Sequence, residues 1–170
     1  MWSSILSSAA ASAIAGIVAS GLPGGPWVAP LEQGFGQVLQ RFERPVDRFA
    51  AGHRGVDLAV EHGQQVRAIG SGVVTFVGDV AGTPSITVDH QRVRSSYLPV
   101  QAQVAPGDQV HAGTVLGTIS GPAHCPRTCL HLGLRRPAWD ARDATSDPYL
   151  DPIAWINRIP VLKPVTPLAP

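Results

Sequence analysis

Two short stretches decide the fold of this chain: residues 53–57, which read His-Arg-Gly-Val-Asp, and residues 129–131, which read Cys-Leu-His. Together they supply His53, Asp57 and His131, which offer two imidazoles and one carboxylate. A divalent ion such as zinc takes these donors readily, and three protein ligands leave a fourth position open for a water. The two stretches therefore predict a metal site of the open, catalytic kind.

The spacing within each stretch favours convergence of these side chains. His53 and Asp57 lie four residues apart across Gly55, so a turn between strands can bring both to one point. Residues 129 and 131 alternate by two, so on a strand both point to the same face of the sheet. The alternative interpretation is that His53 and Asp57 form a structural hydrogen-bonded pair without a metal.

Shorter motifs follow in order between the two stretches: Val-Arg-Ala at 66–68, Ser-Gly-Val-Val at 71–74 and Pro-Gly-Asp-Gln-Val-His-Ala-Gly at 106–113. Over roughly residues 36 to 156, the whole arrangement resembles the lysostaphin/LytM-type zinc metallopeptidases. The resemblance implies an all-β fold, with a sandwich core of antiparallel sheets and a short C-terminal helix. It further implies Zn²⁺ held by His53, Asp57 and His131, and cleavage of peptidoglycan stem or cross-bridge peptides in the bacterial cell wall.

The chain departs from the family pattern at two positions that assist catalysis. The family carries His-x-His at the second stretch, where this chain has Cys129, and Tyr-x-His on a middle strand, where it has Pro99. If the chain is an enzyme, His124 is the first candidate for the missing group and Tyr97 the second. As alternatives, His124 is an ordinary loop histidine, Tyr97 packs in the sheet, and the protein is a catalytically degenerate wall-associated binding or regulatory module.

The chain has two cysteines, Cys125 and Cys129. In an exported protein the expected state is a disulfide, for which only one connectivity exists. Direct zinc ligation by Cys129 beside His131 is the second interpretation, and it would give a closed, inert site. A free catalytic thiol is the third.

Length and composition fit one globular domain with no nucleic-acid partner. The chain has 170 residues and a net charge of +1, which is too balanced for a nucleic-acid-binding protein. Eighteen Gly and sixteen Pro favour a turn-rich β structure. Strands are predicted at residues 37–42, 56–60, 65–69, 73–77, 85–88, 93–98, 100–104, 115–119 and 129–134, and a short helix at 151–158.

The predicted organisation has three parts: a leader or anchor with its linker at 1–31, the metallopeptidase-like β domain at 32–159, and a Pro-rich tail at 160–170. Residues 1–22 are apolar and rich in Ala and Ser, and the first forty residues contain no Lys or Arg. This composition predicts a secretory signal or a membrane anchor, with a disordered tail as the alternative. The expected location is the cell wall, the extracellular space or the outer face of the membrane.

Overall fold

The computed structural model describes residues 26–47, 49–121, 124–136 and 148–157. Within these ranges the protein is almost entirely β, which confirms the expected fold class. The strands are β1 Val38–Gln40, β2 Gly55–Ala59, β3 Gln65–Arg67, β4 Gly72–Val80, β5 Thr83–Asp89, β6 Arg94–Leu98, β7 Val100–Ala102, β8 Gln109–Val110, β9 Val115–Ile119 and β10 Cys129–Arg135. One short helix, α1 Pro152–Ile156, follows them.

The strands form two antiparallel sheets. The larger sheet has the order β1-β2-β10-β6-β5-β4-β8, and the smaller has the order β3-β9-β7. In the larger sheet β10 pairs with β2 on one side and with β6 on the other. The two stretches that carry the predicted ligands therefore lie on or next to adjacent strands.

One cluster of buried apolar side chains joins the two sheets. Its members from the larger sheet include Val56, Leu58, Leu130 and Leu132, and those from the smaller sheet include Val66, Leu116 and Ile119. Because side chains alternate along a strand, the residues between these core positions on β2 and β10 face away from the core. Asp57 and His131 are such residues, so the core packing positions both on one outward face.

The predicted strands agree with the structure to within a few residues at each end, and two differences have a clear physical cause. Strand β4 extends to Val80, because its hairpin with β5 continues through Gly78 to a tight turn. Strand β8 was not predicted, since its two residues lie inside the polar turn region and pair only with the start of β4.

The predicted helix at 151–158 begins with Asp151 as its N-cap, whose carboxylate accepts hydrogen bonds from the amides of Ile153 and Ala154. Residues 1–25, residue 158 and the tail at 160–170 lie outside the described residues, and so do the predictions made for them. The described part of the chain contains no helix that is long and apolar enough to cross a membrane.

Candidate metal centre

The three predicted ligands converge on the outward face of the larger sheet. Asp57 and His131 are directly paired residues of β2 and β10. His53 precedes β2 and is fixed by two backbone hydrogen bonds with Glu43. His131 Nδ1 lies 2.7 Å from Asp57 Oδ1 and 3.2 Å from His53 Nε2, and His53 Nε2 lies 3.2 Å from Asp57 Oδ1. Three potential donor atoms therefore share one small space.

The hydrogen bond of His53 fits a cation between these atoms. Its Nδ1 donates to the carbonyl oxygen of Arg41 at 2.8 Å, so Nε2 is the ring nitrogen that has a lone pair to offer a metal. That lone pair faces a carboxylate oxygen and a second imidazole nitrogen, an arrangement that a divalent ion would stabilise. Tetrahedral zinc ligands at 2.0–2.1 Å from the ion are about 3.3 Å apart. Two of the three separations match this distance at 3.2 Å, and the 2.7 Å contact between His131 and Asp57 is shorter.

The neighbouring histidines keep the carboxylate of Asp57 in its ligating form despite its burial. The Asp57 side chain is 1% exposed, against 10% for His53 and 18% for His131. Burial alone would raise the pKa of Asp57, but the hydrogen bond from His131 and the charges of His131, His53 and His124 together lower it below the ordinary value. The carboxylate is therefore ionised, as metal binding requires.

Gly55 leaves the space that the ring of His131 occupies. A Cβ on Gly55 would lie 2.6 Å from His131 Nε2 and 2.5 Å from the carbonyl oxygen of Leu132. The sequence suggested that Gly55 allows a tight turn between two ligands, and this reason was wrong. Gly55 is the first residue of β2 and lies outside the left-handed region, and the glycine is required by the close approach of β10.

His124 lies beside the three ligands on their solvent side. Its Nε2 is 3.0 Å from Asp57 Oδ2, and its side chain is 55% exposed. The two oxygens of Asp57 thus have different partners: Oδ1 contacts His53 and His131, and Oδ2 contacts His124. The structure brings His124 to the site, although the sequence left open whether it was an ordinary loop histidine.

A disulfide joins Cys125 to Cys129, with an S–S distance of 2.00 Å. This confirms the predicted bond and excludes Cys129 as a thiolate ligand or a free catalytic thiol in the oxidised protein. The bond ties the residue that follows His124 to the first residue of β10. The His124 loop is therefore anchored two residues before His131 on the same strand.

Tyr97, the second candidate for catalysis, is excluded by its position in the sheet. It pairs with Leu132 rather than with His131, so it lies on the core face, opposite to the ligands. Its side chain is fully buried, and its hydroxyl oxygen lies 3.0 Å from the amide of Ile69 and 2.9 Å from Ser95 Oγ. Burial raises the pKa of Tyr97 to about 12, and the phenol has a structural role.

His90 belongs to the same buried polar network and lies apart from the ligands. Its Nδ1 lies 2.9 Å from the carbonyl oxygen of Ser71, its Nε2 lies 2.8 Å from Ser95 Oγ, and its ring packs edge-on against Trp27. Burial lowers the pKa of His90, although the hydrogen bond to Ser71 and the charge of Asp89 act in the opposite direction. Burial therefore favours the neutral ring of His90.

Comparison with known proteins identifies the family of the chain. The family model of Peptidase family M23 matches residues 51–148, which is more than half of the chain. The chain belongs to peptidase family M23. This confirms the resemblance to lysostaphin/LytM-type peptidases, and the matched region of this M23 domain contains all three predicted ligands and His124.

Mycobacterial proteins are among the relatives of this M23 domain by sequence. One uncharacterized protein of Mycobacterium tuberculosis is 38% identical over 133 residues, which are 76% of this chain and 51% of that protein. A second uncharacterized protein of the same organism is 29% identical over 135 residues, covering 75% of this chain and 31% of that protein. The chain thus spans about half, or less, of the length of these curated relatives.

Solved structures share the fold of this M23 domain. The antimicrobial peptidase lysostaphin from Staphylococcus simulans has a TM-score of 0.62 and 19% identity, over 85% of this chain and 59% of that chain. A zinc-containing peptidase from Vibrio cholerae has a TM-score of 0.61 and 17% identity, over 75% of this chain and 39% of that chain. At these identities the likeness establishes the fold.

Proposed function

We propose that this M23 domain is a zinc-dependent endopeptidase that hydrolyses peptide cross-bridges of bacterial peptidoglycan. The observation that carries the proposal is the convergence of His53 Nε2, Asp57 Oδ1 and His131 Nδ1 within 3.2 Å of one another on an outward face. When bound there, zinc would supply a Lewis acid that polarises the scissile carbonyl and lowers the pKa of a coordinated water to about 7.

His124 is the proton-handling group in this proposal. The family positions that assist catalysis are Pro99 and Cys129 in this chain, and neither a proline nor a disulfide sulfur can accept a proton there. His124 Nε2–H donates to Asp57 Oδ2 at 3.0 Å, which leaves Nδ1 to accept a proton, and the ring lies on the solvent side, where substrate approaches. The ring accepts a proton from the attacking water and passes it to the leaving amine, directly or through one water.

A groove of about 580 Å³ has room for an extended peptide. Ala59, two residues after Asp57 on β2, lines it, whereas none of the three ligands does. Glu61 and Arg127 also line it, so it offers both a carboxylate and a guanidinium to polar groups of a peptide. Such a groove suits a stem or cross-bridge peptide.

Export to the cell wall is part of the proposal. A disulfide persists in oxidising compartments and is rare in the cytosol, so the Cys125–Cys129 bond supports a location outside the cytoplasm. In the wall the protein meets its proposed substrate directly.

Digestion of purified peptidoglycan tests the proposed function. Oxidised, zinc-loaded protein is incubated with several peptidoglycan types, and the released fragments are identified by mass spectrometry. Wild type and His111→Ala, an exposed control, should release fragments with one kind of new amino terminus, whereas His131→Ala should release none. If wild type sediments with the walls but releases nothing from any of them, the protein is a binding module.

A further inference from the structure

We propose that reduction of the Cys125–Cys129 disulfide creates a second, sulfur-containing metal site that withdraws the ion from the catalytic ligands. The second site consists of Asp57, His124, Cys125 and Cys129. It shares the ligand Asp57 with the first site, and His124 lies beside that site. The two sites therefore cannot each hold an ion at the same time. The loss of hydrolysis on reduction rests on the proposed function, while the change in metal ligands rests on the geometry alone.

The two sulfur atoms already lie within reach of such an ion. One donor atom from each of Asp57, His124, Cys125 and Cys129 lies within 4.8 Å of all the others. Cys125 Sγ is 3.8 Å from His124 Nε2. A sulfur and a nitrogen bound to the same tetrahedral zinc, at about 2.3 Å and 2.0 Å, are about 3.5 Å apart. Two sulfurs on one such ion are about 3.8 Å apart, so the side chains of Cys125 and Cys129 must separate after the 2.00 Å bond is broken to complete the second site.

The redox state decides whether the sulfurs can bind. In the disulfide both are bonded to each other, which leaves the nitrogen and oxygen ligands as the metal site. Reduction breaks the S–S bond and adds two electrons and two protons from a dithiol, which is itself oxidised to a disulfide. Each resulting thiol binds zinc as a thiolate and releases its proton. Zinc binds thiolate sulfur readily, so the new site competes with His53 and His131.

The second site is chemically inert. Four protein ligands fill every position of a tetrahedral ion, which is the arrangement of structural zinc sites. His124 becomes a ligand there through Nε2, so its ring no longer handles the proton beside the catalytic ligands. The metal therefore stays bound while hydrolysis stops.

The fold survives reduction in this account. The two cysteines are four residues apart, and so short a closed loop removes little entropy from the unfolded chain. Cys129 is also held in β10 by its pairing with Ala59. Reduction thus acts on the site rather than on the domain, and it would keep the protein inactive until it reaches an oxidising compartment.

Cobalt(II) substitution tests the change in ligands without any assay of activity. Protein is reduced with a dithiol, freed of the reductant without air, and loaded with one equivalent of cobalt(II). A sulfur-to-cobalt charge-transfer band in the near ultraviolet should appear in the reduced protein and be absent from the oxidised protein. Bound cobalt should also protect the thiols of the reduced protein from alkylation.

Two variants keep the test decisive if reduction disturbs the fold. Cys125→Ser leaves the thiol of Cys129 beside Asp57 and His124, so its cobalt form should show the band without reductant. The double variant Cys125→Ser/Cys129→Ser should bind one equivalent of metal and show no band in either redox state. The proposal is overturned if neither reduced wild type nor Cys125→Ser shows the band, or if cobalt gives their thiols no protection.

Hydrolysis of peptidoglycan is the separate arm of this experiment. Reduced wild type should lose activity by at least roughly 10²-fold, since the proton-handling group alone contributes that much, and should regain it on reoxidation. The double serine variant should not respond to the reductant. If no form cleaves peptidoglycan, the proposed function fails, and the cobalt spectrum still decides the second metal site.

Discussion

Replacement of Gly55 by alanine tests how the sheet positions the His131 ring. The added Cβ would lie 2.5 Å from the Leu132 carbonyl oxygen and 2.6 Å from the ring atoms Cε1 and Nε2 of His131, about 1 Å closer than ordinary contact. The backbone cannot yield easily, because β10 is hydrogen-bonded to a neighbour on both sides. Overpacking of this kind costs about 1–3 kcal/mol, or roughly 2 to 12 °C in Tm for a chain of this size.

The same clash should weaken metal binding. The ring of His131 must move away from β2, while metal–ligand distances tolerate only about 0.2 Å of error. Zinc affinity, measured by competition with a chelator, should fall by roughly 10- to 100-fold, as it does when a group that supports a ligand is lost. Thermal melting of the metal-free protein measures the change in stability separately from the change in zinc affinity.

Gly78→Ala is the matched control, because Gly78 also lies in a strand. Its Cβ would meet only the ring of Phe76, at 3.1 Å or more, and Phe76 is 39% exposed and free to shift. This variant should change stability by less than about 0.5 kcal/mol and leave zinc affinity unaltered. If Gly55→Ala melts and binds zinc as Gly78→Ala does, the close approach of β10 does not position His131.

Three further predictions concern histidine and tyrosine side chains. His124→Ala should lower turnover by roughly 10²-fold or more while the protein still binds one equivalent of zinc. If its rate is unchanged, like that of the exposed control His111→Ala, another group transfers the proton. The pKa of buried His90 is lowered from about 6.5, so below that pH the unfolded chain binds more protons than the folded protein. The free energy of unfolding should therefore fall as pH drops through 6.5 toward the folded-state pKa. Denaturant unfolding of metal-free protein at pH 7.5 and 5.5 should show a smaller loss for His90→Gln than for wild type or exposed His62→Gln; equal losses would contradict the burial of a neutral ring. Tyr97→Phe should destabilise the domain by about 1–3 kcal/mol, because the buried amide of Ile69 loses its acceptor. Turnover of the folded protein should not change, and a selective loss of turnover would place the phenol in the reaction.

The ligand set could be predicted from the sequence because local patterns determine it. Residue types at 53, 57 and 131 define the donors, and the alternation of apolar residues around Asp57 and His131 predicts which side of a strand each occupies. The disulfide was predictable for a similar reason, since two cysteines four residues apart allow one pairing. These inferences require only the residue types and the period of a strand.

Features that depend on pairing between distant residues could not be predicted in this way. Tyr97 faces the core because it pairs with Leu132, and a shift of one residue in that register would have placed it beside the ligands. The carbonyl that orients His53 comes from the backbone of Arg41, which any residue type would supply. The role of Gly55 likewise depends on how closely β10 passes, which the sequence of β2 does not encode.

The measurement that tests the central claim most directly is a zinc titration of peptidoglycan cleavage. Oxidised protein is stripped with a chelator, zinc is returned in steps, and the release of new amino groups from purified peptidoglycan is recorded at each step. The account predicts no release from stripped protein, a linear rise up to one zinc per chain, and no response in His131→Ala. Cleavage that survives removal of the metal, or no cleavage at any zinc loading, would contradict it.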